Sequence, residues 1–335
     1  LEESLTWQTK PSYVVLVGDG VISPRHLQCS YHCYDDWDKD AQNFIPTDMQ
    51  FKDRYQGLIP SDNTAVFLVG DDLLADMAIG RLPAESSAEA SAMVEKIIKY
   101  EQNLHAQARG YKRVLFLADH PDPSAGGSFC NTNLTHTGAL FPADYEQIHL
   151  CIEDYADNAS FLASITPETN HGVSLMNYRG HGTIHAWGDN PRFWNADSTV
   201  TDETLKLTWG NDLSQKPVAL LSADCLDGYF AWPGHSALSE RFLGLDDMAG
   251  SAAHWSSAGL GLDYEHTTLL EGFYQGMFDH EQIRIGDAIN YAKLHYSLSG
   301  NYSESEMYSF NLQGDPAMQI KLPDPHYVFL PSIIK

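Results

Sequence analysis

The chain has 335 residues, with 45 acidic and 20 basic side chains, and its formal net charge is −25 at pH 7. A surface of that charge repels phosphate backbones, so we expect no nucleic-acid partner. Hydrophobic residues make up 43% of the chain, which is enough for a sizeable core and excludes a disordered protein.

The apolar runs along the chain are short and alternate with helical patterns. None reaches the roughly 18 residues of a membrane span, so no span is expected. The predicted strands cover residues 12–18, 61–71, 76–81, 113–119, 147–152, 172–178 and 217–223. The predicted helices cover residues 88–105, 131–140, 160–165, 236–243, 265–278 and 286–297. Strands that alternate with helices predict an α/β fold, with a mostly parallel sheet and helices on both faces.

The five cysteines are an odd number, so at least one thiol is free or pairs between chains. Cys29 and Cys33 lie close to His26 and His32. This cluster is open to three interpretations: a zinc site, a local disulfide, or packed side chains without a partner. Cys151 falls in an apolar strand-like run, which favours a small buried side chain.

Two of the predicted strands end in reactive residues. His181 stands between Gly180 and Gly182 after one strand, and Cys225 follows the other. In open α/β sheets ligands bind at the carboxyl ends of strands, so this thiol and imidazole are candidates for nucleophilic catalysis. The glycines allow a close approach of the main chain, and we expect the N–H groups of Gly182 and Cys225 to form an oxyanion hole.

Other interpretations of these residues are open. A cysteine at a strand end is often only a packed side chain, and Gly-His-Gly is often only a turn. His185 is a rival base, although its position favours packing or a place on the rim. A glutaminase-type thiol hydrolase ranks lower, because Asp224 and Leu226 rather than glycines flank Cys225.

The segments Asn177-Tyr-Arg-Gly-His-Gly and Ser222-Ala-Asp-Cys-Leu-Asp-Gly-Tyr-Phe resemble the catalytic segments of the gingipain-type cysteine peptidases, which belong to the caspase-like clan. Further similar segments occur in the same order at residues 13–19, 76–81, 96–101, 186–187, 238–242 and 311–316. The resemblance runs from about residue 12 to residue 321. It implies a caspase-like three-layer α/β sandwich, with Cys225 as the nucleophile and His181 as the acid and base.

The resemblance also implies a division into subdomains and a location of the protein. Residues 1–107 are expected to form a partial N-terminal subdomain that lacks the first strand-helix unit of the family. Residues 108–325 are expected to form the catalytic subdomain, and residues 326–335 a tail. A propeptide or companion N-terminal segment is an expected partner, and a secreted or cell-surface location of bacterial type is expected.

Four further site residues follow from the resemblance. Asp119 aligns with the acidic helper of the histidine. The stretch that matches the base of the primary pocket in arginine-cleaving members contains Asn131 and no carboxylate, so a strict arginine preference is not expected. Asp224 is a candidate charge for substrate binding, and Trp255 is a candidate wall of the pocket, although a core position is the alternative for Trp255.

The predicted function is that of a cysteine endopeptidase acting on a peptide or protein through an acyl-enzyme. The chemistry requires no cofactor, but members of the family often bind structural calcium. The aspartates that offer oxygen ligands are Asp35, Asp36, Asp62, Asp71 and Asp72, and their spacing forms no EF-hand loop. The alternatives are an inactive or partner-regulated caspase-like scaffold and a sortase-like transpeptidase, which transfers the acyl group to an amine.

Overall fold

The computed structural model of the protein describes residues 1–22, 42–70, 72–106, 112–123, 127–188, 200–201, 216–245 and 248–322. Its strands are β1 (Tyr13–Val17), β2 (Asp48–Asp53), β3 (Gly57–Ser61), β4 (Ala78–Leu82), β5 (Arg113–Ala118), β6 (Glu146–Cys151), β7 (Leu175–Arg179), β8 (Gly182–Thr183), β9 (Ala186–Trp187), β10 (Val200–Thr201), β11 (Val218–Ala223), β12 (Ser251–Ser257) and β13 (Phe310–Gln313). An eight-stranded sheet has the order β1-β4-β13-β12-β11-β7-β5-β6. Neighbours in this sheet run parallel except β12 and β13, which confirms the mostly parallel sheet predicted from the sequence.

The α-helices are α1 (Ser87–Ala106), α2 (Phe129–Thr132), α3 (Asn158–His171), α4 (Leu238–Gly244), α5 (Asp263–Asp279), α6 (Ile285–Ser297) and α7 (Glu304–Ser309). Side chains before two of them satisfy main-chain donors that lack a partner within the helix. The Ser86 hydroxyl accepts the Glu89 N–H at 3.2 Å, and the Asp157 carboxylate accepts the Ser160 N–H at 2.7 Å. In the described part of the chain, no helix combines the length and apolar character needed to cross a membrane.

The central strands β5, β7 and β11 are buried at every position, and successive residues of a strand point to opposite faces of the sheet. Phe116 of β5 and Leu221 of β11 belong to an apolar cluster that includes residues of α5 and α6. Their sequence neighbours Leu117 and Leu220 belong to a second cluster, which includes residues of α3 and α4. Helices therefore cover both faces, and the predicted three-layer α/β sandwich is confirmed.

The strand predicted over residues 61–71 is wrong. Ser61 ends β3, and Asn63–Val66 is a 3-10 helix. The Asn63 side-chain amide donates to the carbonyl oxygens of Tyr308 and Phe310, at 3.2 and 3.0 Å. These contacts hold the segment against the junction of α7 and β13, and Val66 packs with Ile79 of β4, so the segment lies on the sheet without pairing as a strand.

Two predicted helices have different forms in the structure. The segment predicted over residues 131–140 is α2, a π-helical turn (Asn133–Thr137) and a 3-10 turn (Gly138–Leu140) in succession. The helix predicted over residues 160–165 is longer, because α3 continues through Pro167 to His171.

Strands from both predicted subdomains belong to the same sheet. β1 and β4 precede residue 107, and Arg81 of β4 pairs with Gln313 of β13. The boundary predicted at residues 107 and 108 and the tail predicted at residues 326–335 lie outside the described residues, so both stay predictions.

Candidate active site

Three adjacent parallel strands end in one row. Arg179, the last residue of β7, lies opposite Ala118 of β5 and Ala223 of β11. The residues that follow these strands leave the sheet at the same edge. The predicted nucleophile Cys225 and the predicted base His181 consequently line a single cleft of about 700 Å³.

Cys225 is the free cysteine of the described residues, and its side chain is half-buried. Its S–H donates to the carbonyl oxygen of Gly261 at 3.7 Å. Burial, and to a smaller extent the nearby carboxylates of Asp224, Glu306 and Asp53, raises the pKa of the thiol from 9.0 to about 12, although the bond to Gly261 acts to lower it. The resting thiol is therefore protonated at neutral pH and needs a base to become a nucleophile.

The imidazole of His181 is held from two sides. Its Nε2 atom lies 2.9 Å from the Asp122 carboxylate, and the ring of Phe129 packs edge-on against it with centroids 5.5 Å apart. A carboxylate at Nε2 favours the tautomer with its proton on that atom. The lone pair then lies on Nδ1, which is the nitrogen that can accept the thiol proton.

The prediction that Asp119 orients the imidazole is wrong. Its carboxylate accepts the main-chain N–H groups of His120, at 2.7 Å, and His181, at 3.1 Å, so it holds the main chain instead of the ring. The carboxylate at the ring belongs to Asp122, which the sequence analysis did not single out. Asp122 and Gly127 exchange main-chain hydrogen bonds, and this bridge folds the loop so that Asp122 lines the cleft.

The two buried candidates for substrate binding do not line the cleft. Asp224 is 1% exposed, and burial together with the neighbouring charge of Asp227 raises the pKa of its carboxyl group well above the usual range. Trp255 is fully buried in β12, where its ring stacks on Phe273 with centroids 5.6 Å apart. Both predictions are corrected by burial: Trp255 is a core residue, and Asp224 lies beneath the site.

Asn131 is exposed on the helical wall and is absent from the cleft lining, and its role as a substrate contact stays a prediction. Its N–H donates to the Ser128 hydroxyl that caps α2. Thr132 and His136 from this wall do line the cleft. His185, the rival base, is exposed and lies outside the cleft lining.

Gly182 has a packing role that the sequence did not indicate. A Cβ atom at this position would lie 2.1 Å from the Asp224 carboxylate and 2.6 Å from the Cys225 carbonyl oxygen. Only glycine allows this approach of the two catalytic loops. Within the described part of the chain the Cys225 N–H donates to no other group, which suits an oxyanion donor, and the role of the Gly182 N–H stays a prediction.

The cleft also contains carboxylates that sequence reasoning missed. Asp263 and Glu271 reach it from α5, about 80 to 90 residues beyond His181 in the chain. Asp263 is paired with Arg179 at 2.6 Å, and Glu271 with the imidazole Nδ1 of His136 at 2.8 Å. Helix packing brings them to the site, so no local pattern announces them.

Cys151 is buried as predicted, but it is not a free side chain, because it forms a disulfide with Cys130. The disulfide joins the end of β6 to α2, next to Phe129. It thereby anchors the wall of the cleft that packs against His181. The cluster around Cys29 and Cys33 lies outside the described residues.

Two of the aspartates suggested as calcium ligands lie in the described residues, and both already accept hydrogen bonds from protein groups. Both carboxylate oxygens of Asp62 accept bonds from Arg81, each at 2.7 Å, and one oxygen of Asp72 accepts the Leu74 N–H. Among the residues that the structure describes, no three His, Cys, Asp or Glu side chains are grouped to hold a metal ion. The other three aspartates suggested by the sequence, at positions 35, 36 and 71, lie outside the described ranges.

Comparison with known proteins agrees with the fold and identifies the family. Gingipain R2 and gingipain R1 of Porphyromonas gingivalis are each 27% identical over 133 residues, or 39% of this chain, and the match spans only 18% and 13% of their lengths. The crystal structure of the Arg specific cysteine proteinase gingipain R (RgpB) superposes with a TM-score of 0.71 at 19% identity, over 95% of this chain and 66% of that one. A complex of the P. gingivalis RgpB pro- and mature domains gives the same TM-score over 68% of its chain. The model of peptidase family C25 matches residues 2–321. The resemblance seen in the sequence is thus confirmed, and the chain belongs to peptidase family C25.

Proposed function

We propose that this protein is a cysteine endopeptidase that hydrolyses peptide bonds through an acyl-enzyme on Cys225. The observation that carries the proposal is the shared cleft, in which a free thiol and a carboxylate-bound imidazole stand at adjacent strand ends. The chain spans less than a fifth of the gingipains that it matches in sequence. Membership of peptidase family C25 and the fold support the proposal.

The mechanism starts from a neutral thiol. As Sγ of Cys225 attacks the carbonyl carbon of the substrate, its proton passes to Nδ1 of His181, and Asp122 stabilises the imidazolium that forms. The Cys225 N–H, and in our proposal the Gly182 N–H, donate to the oxyanion. Collapse of this intermediate breaks the C–N bond, and the imidazolium gives its proton to the leaving amine. Water then attacks the thioester with His181 as the base, which releases the acid and restores the thiol.

The reaction needs no metal or cofactor in this proposal, because Cys225 supplies the nucleophile and His181 moves the proton. Structural calcium is a separate matter. We expect a melting temperature that falls on addition of EDTA if such an ion is bound, and an unchanged one if it is not.

The substrate is proposed to be a peptide or protein without a strict requirement for arginine. Asp263 and Glu271 are the acidic groups on the α5 side of the cleft, and each already has a cationic or protonatable partner. An arginine side chain would have to displace one of these partners. The arginine specificity of the solved relative therefore does not carry over without a measurement.

A secreted or cell-surface location and a propeptide partner are also proposed. The disulfide between Cys130 and Cys151 supports an oxidising compartment. The solved complex of RgpB pro- and mature domains motivates the propeptide. Detection of the chain in a washed cell fraction or the culture medium, with this disulfide intact, tests the location.

Cleavage of a proteome-derived peptide library tests the function and reads the specificity together. The wild type is expected to cut internal peptide bonds, and Cys225→Ala is expected to abolish cutting. His185→Ala is the matched control, since this exposed histidine lies outside the cleft, and it is expected to retain activity. Full activity in Cys225→Ala would overturn the proposal. Transfer of the acyl group to an added amine without hydrolysis would favour the sortase-like alternative, and no turnover by the folded wild type would favour the inactive scaffold.

A further inference from the structure

The loops that carry the thiol and the imidazole are joined beneath the cleft by a buried hydrogen bond. Asp227 stands two residues after Cys225, and Trp187 stands six residues after His181. Both side chains are fully buried. The indole Nε1–H of Trp187 donates to the Asp227 carboxylate at 2.9 Å. The bond therefore links the two catalytic segments without reaching the cleft.

Tyr178 extends this link to His181 itself. Its ring stacks on Trp187 with centroids 4.2 Å apart and planes inclined by 10°. Its hydroxyl donates to the carbonyl oxygen of His181 at 2.7 Å and accepts the Gly188 N–H at 2.9 Å. Tyr178 thus contacts both ends of the short hairpin of β8 and β9, since His181 precedes β8 and Gly188 follows β9.

Asp227 holds the loop of the nucleophile in a similar way. Its N–H donates to the Cys225 carbonyl oxygen at 2.9 Å, and its own carbonyl oxygen accepts the hydroxyl of Ser239 at 2.7 Å. Leu226, between Cys225 and Asp227, has φ of 67°, a conformation that is unfavourable for a leucine. Such a residue persists only where the surroundings fix the backbone. Here the Leu226 N–H donates to the Gly259 carbonyl oxygen at 3.1 Å, and the hydrogen bonds of Asp227 hold the following residue.

The charge of Asp227 is compensated where it is buried. Burial acts to raise the pKa of its carboxyl group, but His254, whose Nε2 lies 3.3 Å away, and the bond from Trp187 hold this pKa below the usual range. The Ser222 hydroxyl lies 2.7 Å from the same nitrogen of His254. An ionised Asp227 is the stronger acceptor for the indole N–H, because bonds to charged acceptors are stronger than neutral ones.

From this geometry we infer that Asp227, Trp187 and Tyr178 form a positioning clamp, which sets the separation of the Cys225 thiol and the His181 imidazole. The inference rests on the proposed peptidase reaction. None of the three residues lines the cleft, so they act through the loops and touch no substrate. A shift of about 1 Å in reacting groups can lower a rate by about 100-fold, and that sensitivity gives a remote clamp its effect.

Trp187→Phe and Tyr178→Phe test the clamp, because each removes one donor and keeps a ring in the stack. We expect kcat to fall by about 10-fold or more, with KM changed by less than about twofold. The rate at which iodoacetamide alkylates Cys225 at neutral pH is expected to fall in parallel, and the loss is expected to shrink towards high pH, where the thiol ionises without the imidazole.

The matched control is Tyr100→Phe. Tyr100 is fully buried, and its hydroxyl donates to the Ser174 carbonyl oxygen at 3.1 Å, at the opposite end of β7 from His181. This variant is expected to lose stability to a similar degree while kcat and the alkylation profile stay as in the wild type. If Trp187→Phe does not fold, Tyr178→Phe carries the test.

Clamp variants that lose stability but keep the wild-type kcat and alkylation profile, as Tyr100→Phe does, would overturn the clamp. The alkylation profile also separates the clamp from the proposed function. A wild type that cuts no peptide, yet shows imidazole-assisted alkylation that the clamp variants lose, contradicts the peptidase reaction and supports the clamp.

Discussion

The two sides of the cleft are held in different ways. On the strand side, buried groups such as Trp187 and Asp227 fix the loops of His181 and Cys225 from below. On the opposite side, the wall at residues 129–137 is anchored by buried Asn133, whose side chain bonds to Leu117 and Arg179, and by the disulfide. His136, one of its side chains that face the cleft, contacts Glu271, and these two side chains are 51% and 27% exposed. The comparison teaches that the core fixes both the reacting groups and the backbone of the wall, whereas the contact between the cleft-lining side chains His136 and Glu271 is partly exposed and can change without unfolding the protein.

The largest effect is expected from Asp122→Asn, which keeps the size of the side chain and removes its charge. Without the carboxylate the imidazolium is not stabilised and the tautomer is no longer fixed, so kcat is expected to fall by a factor on the order of 10²–10⁴. Steady-state kinetics on a cleaved library peptide provide the measurement. Asp279→Asn, at an exposed carboxylate at the end of α5, is the control and should have wild-type kinetics. A kcat within twofold of the wild type in Asp122→Asn would remove Asp122 from the mechanism.

Removal of the disulfide by Cys130→Ser with Cys151→Ser is expected to act on the outer wall. The cysteines are 21 positions apart, and a loop of that size predicts a loss of about 3 kcal/mol in the free energy of unfolding. Because Phe129 of this wall packs against His181, we also expect a rise in KM. Urea unfolding and steady-state kinetics measure the two effects. An unchanged KM in the folded variant would show that the disulfide does not shape the substrate surface.

Glu271→Gln is expected to separate specificity from stability. Even as an ion pair, the partly exposed contact between Glu271 and His136 would contribute only about 0–1 kcal/mol, so the free energy of unfolding should change little. The preference for residues next to the scissile bond, read from the peptide library, should change because Glu271 lines the cleft. If Glu271→Gln kept the wild-type cleavage preference but lost much of its free energy of unfolding, the contact would serve stability and not specificity. That result would contradict the comparison between the two sides.

Asp19 lies two residues after β1. Its substitution is expected to have the smallest effect on catalysis and a measurable effect on stability. Asp19 is 8% exposed, and burial raises its pKa from 3.8 to about 7. The unfolded chain loses this proton near pH 4 and the folded chain only near pH 7, so the free energy of unfolding falls as the pH rises through that window. In Asp19→Asn this fall should be smaller, as measured by urea unfolding at several pH values. If the free energy of unfolding had the same pH dependence in the variant and the wild type, the raised pKa of Asp19 would be excluded.

The predictable parts of this fold are the strands whose own apolar residues identify them in the sequence. β5, β7 and β11 are buried on both faces, and β5 and β11 contain continuous apolar runs that are visible in the sequence, whereas β7 has only Leu175 and Met176 before Asn177. Because parallel strands end at one edge, the residues after β7 and β11 had to meet there. His181 and Cys225 were found for that reason.

The residues that sequence reasoning missed owe their positions to contacts between distant segments. β12 is buried at every position, so no alternation shows that Trp255 points into the core and not into the cleft. Asp122 reaches the imidazole only because the loop closes on Gly127. The apolar run around Cys151 carries no sign of the partner that lies 21 positions away.

The most direct measurement is the mass of the intact protein during turnover of a library peptide. The reaction is quenched in acid within milliseconds, and the modified residue is then mapped. The proposed mechanism predicts an acyl fragment of the peptide bound as a thioester to Cys225, and none on Cys225→Ala. Cleavage of the peptide without any adduct on Cys225, or with the adduct on another residue, would contradict it.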